Sequence, residues 1–123
     1  MNLALAVGKL STCRRAQVGC VITSYDLEQV LGIGYNGNAV GLANTCDLDT
    51  RGRCWCVHAE TNALIKVGAG YRDKVIFTTL TPCLACAKLI INSGCSKLYH
   101  HQPYRDRAGQ VLLEKVGIDA VQL

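Results

Sequence analysis

The sequence contains no uninterrupted apolar run of 18 or more residues, although half of its 123 residues are hydrophobic. A membrane-spanning helix needs about 20 consecutive apolar residues, so no membrane partner is predicted. The first ten residues also lack the long apolar core and small-residue cleavage site of a secretory signal. We therefore expect a cytoplasmic protein, which would lie in the host cytoplasm if the chain is viral.

Basic stripes, internal repeats and linkers are missing as well. The formal net charge is +4, and the arginines and lysines are scattered, with no basic stripe interleaved with aromatic residues. Nucleic-acid binding needs such a surface to neutralise phosphates, so no nucleic-acid partner is predicted. A mildly basic surface is compatible with a small anionic substrate. Because domains commonly run about 100–150 residues, we expect residues 1–123 to form a single domain.

Cysteine, in contrast, is abundant, with eight residues in this short chain. In a secreted protein that number would suggest disulfides. Since no export signal is present, metal ligands and a few buried small apolar side chains explain the cysteines better. Cys20 and Cys95 stand in apolar surroundings and are the predicted buried thiols.

Two short motifs open the two segments with the clearest helical period. The first reads H-A-E from His58, and the second reads P-C-L-A-C from Pro82. Apolar residues recur every three to four positions behind each motif. A glycine, Gly68 or Gly94, follows each segment as a predicted helix end. Pro82 suits a first helical turn, where its missing N–H has no partner to lose.

The two motifs together supply one imidazole and two thiols, from His58, Cys83 and Cys86. Three such ligands are typical of catalytic zinc, because the fourth tetrahedral position stays open for water. Helix N-termini at the site would lower the pKa values of both thiols. Bound zinc can lower the pKa of its water from about 15.7 to about 7. A bare C-x-x-C also occurs in structural zinc knuckles and redox pairs, and both remain alternatives.

Glu60 follows His58 by two residues and is the predicted general acid/base. The pattern H-x-E followed by P-C-x-x-C is typical of zinc-dependent nucleobase deaminases. In that chemistry Glu60 passes a proton to N3 of a cytosine ring and then to the departing amine, so that ammonia leaves. The alternative from another class is a catalytically silent zinc-binding module. Glu60 argues against it, because a structural zinc site has no use for a spare carboxylate.

A second group of cysteines lies around the long segment before His58. Some twenty residues there show no convincing period, and loops of this length are uncommon unless they are functional, disordered or pinned. The group comprises Cys13, Cys46, Cys54 and Cys56. Four thiols could hold a second, structural zinc that replaces the core the loop lacks. The C-x-C spacing is unlike the usual knuckle, so free, partly buried thiols explain the group equally well.

The remaining pattern alternates strands and helices. The predicted strands are residues 18–22, 30–35, 74–79, 97–100 and 118–121, and the predicted helices are residues 2–10, the two segments behind the motifs, and 108–116. The first two strands should form an antiparallel hairpin, followed by an abrupt turn at residues 36–38. Alternation of this kind predicts an α/β fold with a mixed five-stranded sheet and helices on both faces. The site should lie at the carboxyl ends of the third and neighbouring strands.

Four further polar residues are candidates for the mouth of the site. Asn36 could hold a sugar hydroxyl, although a role as turn former accounts for it equally well. Tyr104 could pack on a base or touch a phosphate, or it could be a surface tyrosine. His100 and His101 could face the same mouth, or they could cap a strand.

Over about residues 11–116 the chain resembles the deoxycytidylate (dCMP) deaminases. Besides H-A-E and P-C-L-A-C, the similar segments are residues 17–22, 34–38, 62–64, 81, 86–88 and 90–94. The Gly-Tyr-Asn-Gly turn at residues 34–37 singles out dCMP deaminases among zinc deaminases. A tRNA adenosine deaminase would share H-A-E but lacks this turn.

This resemblance implies a cytidine-deaminase-like three-layer αβα fold and a zinc hydrolase that converts dCMP to dUMP for thymidylate synthesis. It implies that Asn36 binds deoxyribose, that the backbone of Ala59 and Thr81 binds the base, and that Tyr104 binds the nucleotide. A dCTP or dual dCMP/dCTP deaminase, or another zinc-dependent nucleoside or nucleobase deaminase, is the alternative.

The resemblance also implies partners and regulation. Family members are often homohexamers that are activated by dCTP with Mg²⁺ and inhibited by dTTP, and some phage members carry a second zinc. The chain departs from the family at residues 38–41, where a proline is usual, and at the inserted Cys54-Trp55-Cys56. These departures leave the allosteric site and the choice between dCMP and dCTP open.

Overall fold

The computed structural model describes residues 1–46 and 53–123 of the protein. The elements, in chain order, are α1 (Asn2–Gly8), β1 (Gly19–Thr23), β2 (Val30–Tyr35), β3 (Gly37–Asn38), β4 (Cys56–Val57), α2 (Ala59–Val67), β5 (Lys74–Leu80), α3 (Leu84–Asn92), β6 (Cys95–Gln102), α4 (Ala108–Lys115) and β7 (Ala120–Gln122). Within those residues, no helix has the length and apolarity needed to span a membrane.

The main sheet has five strands in the order β2-β1-β5-β6-β7. Strand β1 runs antiparallel to both β2 and β5, whereas β5, β6 and β7 are parallel. The predicted mixed five-stranded sheet and its initial hairpin are therefore confirmed. All five residues of β1 are buried, as expected for an apolar strand enclosed on both edges and both faces.

Helices lie on both faces of this sheet, as predicted. A Cβ atom on Gly34 would crowd the backbone of Ala63 in α2, and one on Gly19 would overlap the backbone of Ala4 in α1. Cys20 pairs with Gly34, so Gly19 and Gly34 point to opposite faces. Helices α1 and α2 thus cover opposite faces. The core on the α2 face also receives Ala87 and Ile90 from α3 and Leu113 from α4. The buried residues of this core are Cys20, Ile22, Ala59, Ala63, Ile76, Ala87, Ile90, Cys95, Leu98, Leu113 and Ile118.

The prediction of an abrupt turn at residues 36–38 is wrong. Gly37 and Asn38 form strand β3, which pairs antiparallel with β4 just before His58. The chain reverses after Asn38 instead, where the Asn38 side-chain amide donates to the carbonyl oxygens of Ala43 and Thr45 at 2.8 Å each. Two-residue strands carry no readable period, which is why the pattern did not reveal this ribbon.

The helix behind the second motif also begins later than predicted. Cys83 is the N-cap and α3 starts at Leu84, so Pro82 precedes the helix instead of occupying its first turn. Cys83 has extended backbone angles, φ −68° and ψ 169°, as N-cap residues do. The predicted glycine ends are confirmed, since Gly68 and Gly94 follow α2 and α3 with positive φ values of 75° and 78°.

Candidate metal centre and substrate cavity

The two helices that start at the motifs present their N-cap residues to each other. His58 caps α2 and Cys83 caps α3, and neither side chain makes a capping hydrogen bond to its own helix. An N-cap without such a bond costs about 0.5–2 kcal/mol relative to Ser, Thr, Asp or Asn. The two side chains meet instead, with 3.5 Å between the Cys83 Sγ and His58 Nδ1 atoms. The two helices therefore lack the stabilisation of a side-chain cap, and the two N-cap side chains contact each other as potential metal ligands.

The sheet and α4 hold these helix ends in place. Strand β5 ends at Leu80, so that Thr81, Pro82 and Cys83 follow its carboxyl end directly. On the other side, a Cβ atom on Gly109 in α4 would overlap the Pro82 carbonyl oxygen. The Cys83 loop is thus enclosed between β5 and α4. Its position agrees with the predicted site at the carboxyl end of the third strand of the sheet.

Cys86 completes a group of three ligand atoms. Its Sγ lies 3.4 Å from His58 Nδ1, and the ligand atoms of His58, Cys83 and Cys86 all lie within 4.8 Å of one another. Sulfur and nitrogen ligands on one tetrahedral zinc, with bonds of about 2.3 and 2.1 Å, stand roughly 3.6 Å apart. Both thiols are free, so the alternative of a closed redox disulfide does not apply to this structure. The donor set fits a zinc ion bound through Nδ1 of the imidazole.

The pKa values of the three potential ligands are shifted in different directions. The pKa of Cys83 is lowered to about 4, mainly by its contact with the Cys86 side chain, with a further contribution from His58. The pKa of Cys86 is raised by that same contact and by burial. The hydrogen bond with Cys83 raises the pKa of His58. Without metal the group therefore retains protons, which zinc displaces when it binds.

Glu60 lies against this group, in the first turn of α2. Its side chain is 4% exposed, and the Cys86 thiol donates to its Oε2 at 3.6 Å. Burial raises the pKa of the Glu60 carboxyl. A carboxyl that gains a proton more readily than usual is suited to accepting and returning protons during a reaction.

A cavity of about 440 Å³ opens beside the ligand group. Pockets for small molecules commonly measure about 300–1,000 Å³, so the cavity can take a nucleotide-sized ligand. The predicted site residues in its wall are Asn36, Ala59, Thr81 and Tyr104, together with His58, Glu60 and Cys83. Cys86 is buried behind them. The cavity is also lined by Arg15 and Arg105, which sequence reasoning missed, although Arg105 adjoins Tyr104 and the Arg14-Arg15 pair was visible.

Asn36 does more than form a turn. Its Oδ1 accepts from the Val18 N–H, and its Nδ2 donates to the Ala16 carbonyl oxygen, both at 2.8 Å. The amide therefore ties the segment before β1 to the end of β2. A side-chain amide has two donor hydrogens and two acceptor lone pairs, and the Asn36 side chain also hydrogen-bonds to Cys56, so an acceptor lone pair remains for other partners.

Thr81 is held from behind by the next strand. Its N–H donates to the Gln102 carbonyl oxygen at 2.9 Å, and its hydroxyl lies 3.1 Å from that oxygen and 3.3 Å from His100 Nδ1. His100 is 4% exposed and supports Thr81, so the idea that it faces the mouth is wrong. His101 is directed to the chain end, with its Nδ1 3.4 Å from the Leu123 carbonyl oxygen.

The second group of cysteines also comes together, but less closely. A small cavity of about 10 Å³ is lined by Cys13, Cys46, Cys54 and Cys56. Within residues 1–46 and 53–123, however, the group of three or more potential ligands whose atoms all lie within 4.8 Å is His58, Cys83 and Cys86 alone. The four cysteines thus line a common cavity, but no three of their sulfurs all lie within 4.8 Å of one another.

The sequence profile of the cytidine and deoxycytidylate deaminase zinc-binding region matches residues 1–102. The chain belongs to this deaminase family. It is 35% identical over 138 residues to a deoxycytidylate deaminase of Saccharomyces cerevisiae, covering 99% of this chain and 43% of the yeast protein. It therefore spans less than half the length of that relative.

Deaminases of phages resemble the chain over most of their length. A deoxycytidylate deaminase of Mycobacterium phage D29 is 32% identical over 121 residues, covering 81% of this chain and 89% of the phage protein. A dCMP deaminase of cyanophage S-TIM5, solved in complex with dCMP and dUMP, superposes with a TM-score of 0.88 at 29% identity. That superposition covers 99% of this chain and 92% of the phage chain, which confirms the deaminase fold.

Proposed function

We propose that the chain is a zinc-dependent hydrolase that converts dCMP to dUMP and ammonia, and so supplies dUMP for thymidylate synthesis. One observation carries the proposal: the ligand atoms of His58, Cys83 and Cys86 lie within 4.8 Å of one another beside a cavity of about 440 Å³, next to buried Glu60. When bound there, zinc supplies Lewis-acid activation of water at neutral pH.

Glu60 moves the protons in this proposal. Its carboxylate accepts a proton from the attacking water and donates it to N3 of the cytosine ring. It then transfers the proton of the new C4 hydroxyl to the amino group, which leaves as ammonia while C4 becomes the carbonyl carbon of uracil. Burial raises the pKa of Glu60, which favours the protonated form that proton donation needs. The same burial excludes bulk water from the proton path.

The cavity wall suggests how the rest of dCMP would be held. The backbone of Ala59 and Thr81 would bind the base, Asn36 the deoxyribose and Tyr104 the nucleotide. Arg15 and Arg105 add two guanidinium groups, whose planar donors match phosphate oxygens. Two cations in the wall favour a nucleotide over free cytidine as the substrate.

Three further proposals concern metal and assembly. The four cysteines around the smaller cavity would bind a second, structural zinc. By similarity to dCMP deaminases, dCTP with Mg²⁺ would activate and dTTP would inhibit a homohexamer. Metal analysis, assays with each effector and light scattering test these statements separately. One zinc per chain would exclude the four-cysteine site.

The central experiment measures ammonia release by the zinc-loaded protein from dCMP, dCTP, CMP and deoxycytidine. We expect dCMP to react fastest, because its monophosphate meets the two arginines without extra charge. Faster turnover of dCTP would identify the alternative substrate. No turnover of any of the four compounds with zinc bound would overturn the proposal and favour a silent zinc module.

A further inference from the structure

Cys86 and Thr61 occupy the same position in two adjacent helices. Each is the third helical residue after its N-cap, Cys86 in α3 and Thr61 in α2. The Thr61 hydroxyl oxygen lies 3.9 Å from Cys86 Sγ. Threonine hydroxyls in helices often bond to a carbonyl of the preceding turn of the same helix. Here the hydroxyl is directed across the helix pair to a candidate metal ligand.

The other neighbours of the Cys86 sulfur are poor donors once it binds a metal. His58 Nδ1 lies 3.4 Å away, but that nitrogen would itself be a zinc ligand. Glu60 Oε2 lies 3.6 Å away, and an ionised carboxylate can only accept hydrogen bonds. When zinc displaces the thiol proton, the contact with Glu60 brings two acceptors together. Among these three neighbours, Thr61 alone then offers a hydrogen to the thiolate.

The sulfur of Cys83 has a different neighbour, the backbone N–H of Cys86, which helps to lower the pKa of Cys83. The two thiolates would therefore be stabilised by different kinds of donor, a main-chain amide for Cys83 and a side-chain hydroxyl for Cys86. Partners of this kind orient metal ligands, and their loss typically lowers metal affinity about 10–100-fold.

We propose that Thr61 is a positioning residue of the zinc site, whose hydroxyl donates a hydrogen bond to the Cys86 thiolate and thereby increases zinc affinity. This inference rests on the proposed zinc site at His58, Cys83 and Cys86. It does not require that dCMP be the substrate.

The test compares Thr61→Val, which keeps the shape of the side chain, with Thr61→Ser, which keeps the hydroxyl. Thr61→Ala is a second variant without the hydroxyl, in a residue type favourable to helices. Thr23→Val is the matched control, since Thr23 is a buried threonine whose hydroxyl donates to the Ser24 carbonyl oxygen instead. Zinc affinity is measured by chelator competition. Cobalt(II)-loaded protein gives the thiolate-to-metal charge-transfer band. Any zinc released from the four-cysteine pocket would be common to all variants and would cancel in the comparison.

We expect Thr61→Val and Thr61→Ala to bind zinc about 10–100-fold more weakly and to shift the charge-transfer band to longer wavelength. Thr61→Ser and Thr23→Val should match the unaltered protein. Unchanged affinity and an unmoved band in Thr61→Val would overturn the proposal, as would a serine variant as weak as the valine one. If the unaltered protein binds no zinc through His58, Cys83 and Cys86, the proposed function fails. If the unaltered protein binds zinc and deaminates dCMP, and Thr61→Val has the same zinc affinity and spectrum, then only the proposed role of Thr61 is wrong.

Discussion

Two cysteine-containing regions of this molecule differ in how far the fold itself assembles them. At the candidate metal centre, His58 and Cys83 are helix N-caps and Cys86 is one turn into α3, all fixed by packing on the sheet. Their ligand atoms already stand within 4.8 Å of one another. The second region places its cysteines mainly on the connections around the β3–β4 ribbon, where they line a cavity of about 10 Å³.

The two regions differ in whether helices packed on the sheet or connecting segments hold the potential ligands in the absence of metal. Helix ends anchored in a core keep their side chains at ligand distance without help. In the proposed second site, the thiols on connecting segments would be brought together by the metal, so the free energy of metal binding would contribute to the order of that region. The first region is therefore suited to catalysis, which needs fixed geometry. The second is suited to a structural role.

The strongest test of this contrast removes one ligand from each region. We expect Cys83→Ser to lose catalytic zinc and all measurable deamination, because two remaining ligands hold zinc poorly. Cys54→Ser should keep that zinc and most activity while lowering thermal stability. Metal analysis and ammonia release report the first pair of outcomes, and thermal unfolding reports the second. Loss of the catalytic zinc in Cys54→Ser would show that the two regions are not independent.

Glu60→Gln separates chemistry from metal binding within the first region. The amide keeps the size of the side chain but cannot carry the proton, so turnover should fall about 10²–10⁴-fold. Zinc content should stay at the level of the unaltered protein. Glu28→Gln, at an exposed turn between β1 and β2, is the matched control. Retained turnover in Glu60→Gln would remove this residue from the mechanism.

Gly109→Ala tests whether packing positions the Cys83 loop. A Cβ atom at this position overlaps the Pro82 carbonyl oxygen, so α4 or the loop must shift. Overpacking of this kind typically destabilises a protein by about 1–3 kcal/mol. Zinc affinity should fall in parallel. Gly70→Ala is the control, because a Cβ there meets no atom within 4 Å. Equal stability of the two variants by denaturant unfolding would contradict the steric argument.

Cys95 provides a thiol outside both regions, and the smallest expected effect. Burial raises its pKa from 9.0 to about 11, so the folded state keeps a proton that the unfolded state releases. The buried, protonated thiol contributes fully to the free energy of unfolding below pH 9, and this contribution is lost as the pH rises to about 11. The slope is about 1.4 kcal/mol per pH unit for one proton. Cys95→Ala should flatten the alkaline fall in unfolding free energy by that amount. An unchanged slope would show that Cys95 does not titrate in this way.

The sequence predicted the sheet and the metal ligands for a physical reason. Strands such as β1 and β5 are long enough to show apolar runs, and the ligand spacing of His58, Cys83 and Cys86 follows the helix starts. The β3–β4 ribbon could not be predicted, because two residues carry no period. Arg15 and Arg105 were missed because only folding brings residues 90 positions apart to one cavity wall. The same holds for the support that His100 gives to Thr81.

The β3–β4 ribbon ends one residue before α2, so that β4 leads directly into His58. The pairing of its two strands holds together the two ends of the segment that connects them. We therefore expect added residues between the two strands to leave the imidazole in place, since the entropy of closing a longer loop rises slowly with its length. The ribbon thereby separates the length of this segment from the position of His58.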